Sequence, residues 1–149
     1  MKRILFVCLG NICRSPMAEF VMKKLVRDAG LEGEFEIASA GTSGEEAGSD
    51  MHPGARAKLA AEGVPFSPRR ARQIAAVDYD RYDLLIGMDI KNLLGMERLW
   101  RKDPAGKVKL LLSYAGKDRD IADPWYTHDF DKTYGDILEG CTALLASVR

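Results

Sequence analysis

The chain has 149 residues, and its 22 basic and 22 acidic residues give a formal net charge of 0. A chain of this length buries roughly two thirds of its unfolded surface, so we expect one domain over residues 1–149 with a full hydrophobic core. The neutral balance gives no indication of nucleic-acid or membrane-surface binding, because neither a basic field nor a polybasic run is present. Any anion site must therefore be local.

The first residues resemble a signal peptide only faintly. Met1-Lys2-Arg3 precedes a six-residue apolar run, residues 4–9, with no small-residue cleavage site after it. No apolar run reaches the roughly 20 residues of a membrane-spanning helix. We expect a soluble, cytoplasmic protein whose three cysteines, Cys8, Cys13 and Cys141, are free thiols.

Short apolar runs alternate with amphipathic segments along the chain. The apolar runs predict buried strands at residues 4–8, 35–40, 83–88 and 108–112. The amphipathic segments predict helices at residues 15–29, 54–62, about 90–101 and 130–148. This alternation predicts a three-layer α/β fold, in which a four-stranded parallel sheet carries helices on both faces.

The sequence VCLGNICRSP, residues 7–16, connects the first predicted strand to the first predicted helix. Ser15 is suited to the helix N-cap and Pro16 to the first helical position. A loop that leads into a helix presents unpaired backbone N–H groups to one point, where the helix dipole also favours negative charge. Ligands of parallel sheets bind beyond the carboxyl ends of strands, so this loop predicts a phosphate-sized anion site.

The side chains of this loop suggest chemistry as well as binding. Gly10 and Asn11 tolerate the backbone angles of a tight loop, and the planar guanidinium of Arg14 can bind two oxygens of an anion. Cys8 lies at the base of the loop, where amide dipoles and Arg14 would favour a thiolate directed at phosphorus. A lone cysteine is ordinarily a small buried hydrophobe, but this context favours a nucleophile.

Two roles remain open for Cys13. It can trap an oxidised Cys8 as a reversible disulfide, or it can pack passively in the loop. A metal site is not expected, because a C-x4-C spacing is not a zinc clip and Cys141, His52 and His128 complete no ligand motif. We expect both histidines to be solvated.

A thiolate that attacks a phosphate ester needs an acid to protonate the departing oxygen. Asp123 is the candidate, since it precedes Pro124, which stiffens the turn, and two aromatic residues, Trp125 and Tyr126. An acid beside two ring faces would suit a slot for an aryl phosphate. Three nearby carboxylates are alternatives: Asp118, Asp120 and Asp129.

CLGNICRSP near the start and DPWY near the end resemble the low-molecular-weight protein tyrosine phosphatases. The similarity covers nearly the whole chain through three further segments, at residues 39–42, 71–74 and 88–89. A bare C-x5-R pattern is weakly specific, but its combination with the distant DPWY is strongly so. The resemblance implies a single phosphatase domain of flavodoxin-like topology, the phosphotyrosine phosphatase I-like fold, with no metal and no cofactor.

The resemblance also implies roles for individual residues. Cys8 would form a cysteinyl-phosphate intermediate, Asp123 would act first as general acid and then as base, and Ser15 would donate to the Cys8 sulfur. Arg14 would bind the phosphate and stabilise the transition state. The remaining substrate-binding residues are those of the signature loop, or P-loop, and two slot aromatics: Leu9, Gly10, Asn11, Ile12, Cys13, Trp125 and Tyr126. Asn11 would hold the loop through the region of Ser39.

Related enzymes give competing hypotheses. Thioredoxin-coupled arsenate reductases need cysteines near the third strand, which are absent here. Protein-arginine phosphatases carry Thr where this chain has Ile12, whose apolar branch fits an aryl group better than a guanidinium. Hydrolysis of small-molecule phosphates, and a redox or anion-binding module without turnover, remain open.

The expected partners are phosphotyrosine proteins and a cognate tyrosine kinase, and we expect a monomer.

The chain departs from the family pattern at two places. Glu45 stands on the rim where an aromatic is common, which should disfavour acidic phosphopeptides. Arg69 stands near the place where several relatives carry a histidine that joins a polar network with Asp89. We expect Arg69 or Arg70 either to pair with Asp89 or to be solvated.

Overall fold

Four parallel strands form the centre of the protein, which the computed structural model describes over residues 1–149. The strands are β1 (Lys2–Cys8), β2 (Phe35–Gly41), β3 (Leu84–Gly87) and β4 (Val108–Leu110). The helices are α1 (Arg14–Asp28), α2 (Pro53–Ala61), α3 (Asp78–Arg81), α4 (Ile90–Leu99), α5 (Pro124–Thr127) and α6 (Phe130–Val148). Two short 3-10 helices cover Glu32–Glu34 and Leu111–Ala115.

The strand order is β2-β1-β3-β4, and every pair is parallel. The chain therefore leaves β1 for one neighbour, β2, and later returns to the other side of β1 as β3. This reversal creates a crevice at the carboxyl end of β1, the usual ligand position in such sheets. The loop after Cys8 lies at this point.

Helices cover both faces of the sheet because β1 is apolar on both. Ile4 and Phe6 pack in a cluster with α1, α2 and α6, whereas Leu5 and Val7 pack in a second cluster with α4. Side chains of a strand alternate between the two faces, so each cluster belongs to one face. The predicted three-layer α/β fold is confirmed. No helix combines the length and the apolar composition that a membrane crossing requires.

The predicted N-cap of α1 is wrong. The helix begins at Arg14, and its N-cap residue is Cys13, whose side chain makes no capping hydrogen bond. The Cys13 carbonyl already accepts from the Met17 N–H at 3.2 Å, so the helix starts two residues earlier than expected. Ser15 consequently lies inside the first turn, where its hydroxyl is free for contacts other than capping.

The fourth strand ends earlier than predicted. β4 stops at Leu110, and the apolar run continues into a 3-10 helix because Leu111 and Leu112 are buried beneath α6 instead of in the sheet. Gly140 of α6 leaves the space that the Leu111 side chain fills. An apolar run alone does not distinguish these two modes of burial. The two four-residue helices, α3 and α5, carry too short a pattern to be predicted.

Gly41, the last residue of β2, allows the loop after β1 to lie directly on β2. A Cβ atom at this position would come within 2.7 Å of the Leu9 carbonyl oxygen and 3.2 Å of the Asn11 amide nitrogen. Both neighbours are backbone atoms, which cannot rotate away as a side chain can. Gly41 is therefore a requirement of the loop conformation.

We expect Gly41→Ala to lower the free energy of unfolding by about 1–3 kcal/mol, because a methyl group forced against backbone requires the loop to shift. Urea unfolding would measure this change. Gly135→Ala is the matched control, since nothing lies within 4 Å of its added Cβ on α6. That control should gain up to about 1 kcal/mol from helix propensity. An unchanged urea midpoint for Gly41→Ala would contradict the close contact.

Candidate active site

The loop of residues 9–13 is held through its carbonyl groups. The carbonyl oxygens of Cys8, Leu9 and Ile12 accept hydrogen bonds of 2.9, 2.9 and 2.8 Å from the N–H groups of Thr42, Ser43 and His52, respectively. The N–H groups of residues 9–13 have no acceptor within the protein. Backbone N–H groups away from bulk water are ordinarily paired, so a set of unpaired N–H groups in one loop can serve as hydrogen-bond donors to an anion.

Asn11 fixes the turn of the loop. Its backbone is left-handed, with φ of 58°, and its side chain is fully buried. The Oδ1 atom accepts from the Arg69 guanidinium at 2.5 Å and from the Arg72 N–H at 3.1 Å. The Nδ2 atom donates to the hydroxyls of Ser15 at 2.8 Å and Ser39 at 3.0 Å. All four bonds reach outside the loop, so they hold it against the rest of the protein.

The Cys8 sulfur lies at the base of this loop. It is buried, and it lies 3.0 Å from the Ser15 hydroxyl oxygen. Because Ser15 Oγ already accepts from Asn11, its own hydrogen can go only to Cys8 Sγ or to the Ala40 carbonyl at 3.3 Å. The geometry therefore suits a hydroxyl that donates to a sulfur anion.

Arg14 lies beside Cys8 with only 2% of its surface exposed. Nη1 donates to Asp89 at 2.7 Å and to the Ile121 carbonyl at 2.9 Å, and Nη2 donates to Asp123 at 3.4 Å. Burial opposes its charge, but Cys8, Asp89 and Asp123 outweigh that effect and raise the pKa of Arg14. The Nε atom is buried without any partner. A buried, unpaired donor on a charged group indicates a place for an anion.

Asp89 joins Arg14 to the start of α4. Its Oδ1 atom accepts from the Asn92 N–H at 2.8 Å in a capping box, and its Oδ2 atom accepts from Arg14. Of the two alternatives for Arg69 and Arg70, pairing with Asp89 is wrong, because the buried Arg14 occupies this carboxylate, whereas Arg70 is exposed as the other alternative predicts. Sequence reasoning missed this partner, since the two residues lie 75 positions apart.

Asp123 is the only one of the four candidate carboxylates that lines the pocket above Cys8. It caps α5, since its Oδ1 atom accepts from the Trp125 N–H at 3.1 Å, while Oδ2 faces Arg14. The alternatives lie elsewhere: Asp120 accepts from the Ile90 N–H, Asp129 caps α6, and Asp118 is exposed.

The pocket has a volume of about 150 Å³. Its base and lower walls come from the signature loop and Asp123, and its upper walls from the following residues: Ser43, Glu45, Glu46, Trp125 and Tyr126. Trp125 and Tyr126 are 52% and 72% exposed, so two aromatic faces stand at the mouth. Neither glutamate forms an ion pair within the protein. The rim is consequently acidic, whereas Arg14 supplies positive charge at the base.

His52 is not the solvated residue that the sequence suggested. Its ring lies 5.5 Å from the Phe130 ring in a stacked arrangement and 5.7 Å from the Trp125 ring edge to face. Nδ1 caps α2 by accepting from the Gly54 N–H at 2.9 Å, and its backbone N–H holds the Ile12 carbonyl. His52 thus connects the signature loop to an aromatic at the mouth. His128 is exposed and lies outside the pocket.

Cys13 lines the same pocket as Cys8, and all three cysteines are unpaired thiols. Burial raises the pKa of Cys13 to about 12, and the neighbouring Cys8 and Asp123 add to this effect. Burial also raises the pKa of Cys141, which lies inside the core beneath α6. No group of three or more His, Cys, Asp or Glu side chains is placed to hold a metal ion.

Comparison with known proteins identifies the family. The family profile described as low molecular weight phosphotyrosine protein phosphatase matches residues 3–149. The low molecular weight protein-tyrosine-phosphatase YfkJ of Bacillus subtilis (strain 168) is 40% identical over 152 residues, which cover 100% of this chain and 97% of YfkJ. The crystal structure of YfkJ has a TM-score of 0.96 and covers 99% of this chain and 94% of that one.

Two further proteins show the breadth of the similarity. The low molecular weight phosphotyrosine protein phosphatase of Homo sapiens is 39% identical over 149 residues, covering 97% of this chain and 94% of the human protein. The crystal structure of DARP, a Drosophila arginine phosphatase, is 34% identical with a TM-score of 0.90 and covers 100% of this chain and 98% of that one. From the profile and these relatives, the chain belongs to the low molecular weight phosphotyrosine protein phosphatase family.

Proposed function

We propose that this protein is a metal-independent protein tyrosine phosphatase that hydrolyses phosphotyrosine and aryl phosphates through a phosphorylated Cys8. The observation that carries the proposal is the buried, unpaired Nε of Arg14, a residue that lines the pocket above the Cys8 sulfur. A charged donor in this position stabilises an anion held against a nucleophile. The unpaired N–H groups of residues 9–13 support the same proposal.

The first step transfers the phosphoryl group to sulfur. The Cys8 thiolate attacks phosphorus, the S–P bond forms and the bond from phosphorus to the aryl oxygen breaks. The protonated Asp123 gives its proton to the departing oxygen as general acid. The phosphate oxygens replace Asp123 as partners of Arg14 Nη2, whose present contact with that carboxylate is long at 3.4 Å.

The second step releases phosphate. A water molecule attacks phosphorus while the Asp123 carboxylate takes one of its protons, and the S–P bond breaks. The electron pair returns to sulfur, where the Ser15 hydroxyl stabilises the thiolate from 3.0 Å. Neither step needs a cofactor, because Arg14 and the loop amides supply the positive potential.

The walls of the pocket favour an aromatic substrate. Trp125 and Tyr126 offer faces for a phosphotyrosine ring, and Ile12 places a branched apolar side chain against it. The similarity to an arginine phosphatase keeps phosphoarginine as the rival substrate. The apolar Ile12 side chain offers no hydrogen-bond partner to the polar guanidinium of phosphoarginine, so we favour phosphotyrosine.

The role of Cys13 as a redox partner stays a prediction. The raised pKa of Cys13 keeps its thiol protonated near neutral pH, so it does not compete as a nucleophile. A peroxide would oxidise the Cys8 thiol to a sulfenic acid and be reduced to water, and the Cys13 thiol would then attack the Cys8 sulfur, forming a disulfide and releasing a second water. A cytoplasmic location, a monomeric state and a cognate kinase also stay predictions.

The acid role of Asp123 gives the first test of the proposed function. We expect wild type to hydrolyse p-nitrophenyl phosphate in EDTA and reductant, and Cys8→Ser to show no turnover. Asp123→Ala should slow phenyl phosphate hydrolysis by about 10²- to 10⁴-fold and nitrophenyl phosphate by less, because nitrophenolate leaves more easily without a proton. Asp118→Ala, an exposed neighbour outside the pocket, is the control. An inactive wild type would refute the phosphatase, and equal deficits for both esters would refute the acid role.

Ile12 gives the test of substrate class. Wild type should prefer a phosphotyrosine peptide to a phosphoarginine peptide of the same sequence. Ile12→Thr should shift the ratio of kcat/KM values toward phosphoarginine by about tenfold, the scale on which an apolar pocket distinguishes one methylene. Ile12→Val keeps the branched apolar wall and should keep the wild-type ratio. A wild type that prefers phosphoarginine would overturn the choice of substrate.

The acidic rim gives a test of peptide preference. Glu45→Gln should raise kcat/KM about two- to fivefold for peptides with acidic residues beside the phosphotyrosine, the size expected for exposed charges. The gain should disappear at about 1 M salt, where the screening length falls to roughly 3 Å. Glu34→Gln, outside the pocket, is the control. A salt-independent gain, or one shared by neutral peptides, would show that charge is not the cause.

A further inference from the structure

A second groove opens beside the pocket above Cys8. It has a volume of about 360 Å³ and lies between the loop after β1, the start of α4 and the loop that precedes α5. Four residues line both cavities, which makes the groove continuous with the pocket: Leu9, Arg14, Asp123 and Tyr126. The proposed reaction takes place in the pocket alone and leaves the groove without a role.

Exposed apolar side chains border the groove. Leu9 and Tyr126, which are shared with the pocket, are 45% and 72% exposed, and Ile90, which lines only the groove, is 47% exposed. Ile90 is the first residue of α4, and its side chain belongs to neither hydrophobic cluster of the core. Apolar side chains that are left exposed around a concave site favour an apolar ligand there.

The walls of the groove are held in place in the free protein. The Ile90 N–H donates to Asp120 Oδ1 at 3.0 Å, which joins the start of α4 to the loop that precedes α5. Thr42 packs against α4 at Gly95, where an added Cβ would come within 3.2 Å of the Thr42 methyl carbon. The Thr42 N–H also holds the Cys8 carbonyl, so the groove and the signature loop share one support. A preformed groove binds without the cost of ordering its walls.

The charges at the groove differ from those at the rim of the pocket. The exposed charges that belong to the groove alone, those of Lys91 and Asp120, are of opposite sign. Glu45 and Glu46 line only the pocket, where they make the rim acidic. A polypeptide that crosses the site therefore meets an acidic wall at the pocket and an apolar wall with balanced charge at the groove.

We propose that the groove is a second subsite of the phosphatase, which binds an apolar side chain of the substrate protein one to three residues from the phosphotyrosine. This subsite rests on the proposed function, since the phosphotyrosine must occupy the pocket. An extended chain advances roughly 3.4 Å per residue, so the adjoining groove is within reach of those positions. Ile90 is the residue that determines the preference. The groove adjoins the pocket on one side only, so it serves one flank of the phosphotyrosine.

The test compares phosphotyrosine peptides that differ at one position. The reference peptide carries phosphotyrosine among alanines, and each of the others has leucine at one of the three positions before or after it. We expect leucine at a position on one flank to raise kcat/KM about five- to tenfold, which corresponds to burying roughly half of a leucine side chain. The gain should appear in KM, because the contact is the same in the ground state and in the transition state.

Substitutions at Ile90 assign the gain to the groove. Ile90→Ser should remove most of the leucine preference, whereas Ile90→Val, which keeps a branched apolar side chain, should retain it. Leu94→Ser is the matched control, because Leu94 is 52% exposed on the same helix but does not line the groove. It should keep the wild-type ratio of the leucine to the alanine peptide. Thermal unfolding would establish that each variant is folded.

The outcomes separate the subsite from the proposed function. Equal kcat/KM values for leucine and alanine peptides in wild type, equal gains on both flanks, or a preference that Ile90→Ser leaves intact would each overturn the subsite. p-Nitrophenyl phosphate has no flanking residues, so a wild type inactive toward it would refute the phosphatase instead. Binding of the same peptides to Cys8→Ser, followed by fluorescence polarisation, needs no turnover and would then decide the subsite, since equal dissociation constants would exclude it.

Discussion

The site depends on one constraint, which is that the carbonyl groups of the loop after β1 are bound on the side away from the pocket. Thr42, Ser43 and His52 donate to these carbonyls, and Gly41 lets the loop lie close enough for them to do so. A peptide unit whose carbonyl is fixed on one side presents its N–H on the other. The pairing of β1 with β2 therefore positions the backbone N–H groups that can bind an anion before any side chain contributes.

Side chains then connect the site to the helices around it. Asp89 and Asp123 each use one oxygen to cap a helix and the other to hold Arg14. Because a capping carboxylate contributes about 1 kcal/mol to its helix, the start of α4 and of α5 is coupled to the position of the guanidinium. The two carboxylates that hold Arg14 are thus the same groups that cap α4 and α5. This arrangement fixes the charge without a separate ion pair in the core, which would cost desolvation.

Sequence patterns predicted what is local and missed what is distant. The strands, the long helix α6, the loop with Cys8 and Arg14, and the turn at Asp123 follow from short-range periodicity and from turn residues. The Arg14–Asp89 and Arg69–Asn11 contacts join residues 75 and 58 positions apart, which no local pattern specifies. Ser15 was misassigned as the N-cap because serine before proline is a common cap, whereas the contact between its hydroxyl and the Cys8 sulfur, expected from the family resemblance, is present at 3.0 Å. The packing of the His52 ring on Phe130 depends on the contact between the start of α2 and the start of α6, which a local sequence pattern does not show.

The distribution of charge suits the proposed function, in which a chain of zero net charge would bind a phosphate dianion. The cations, Arg14 and Arg69, lie inside or behind the loop, whereas Glu45 and Glu46 stand at the rim. At a distance their fields cancel, so the protein exerts little attraction on anions in general. Under the proposed function, a phosphate group would pass the rim to the low-dielectric base, where each hydrogen bond to a charged group is stronger than in water. Selectivity would then arise from the depth of the pocket, since an anion must lose its water and enter before the positive groups act on it.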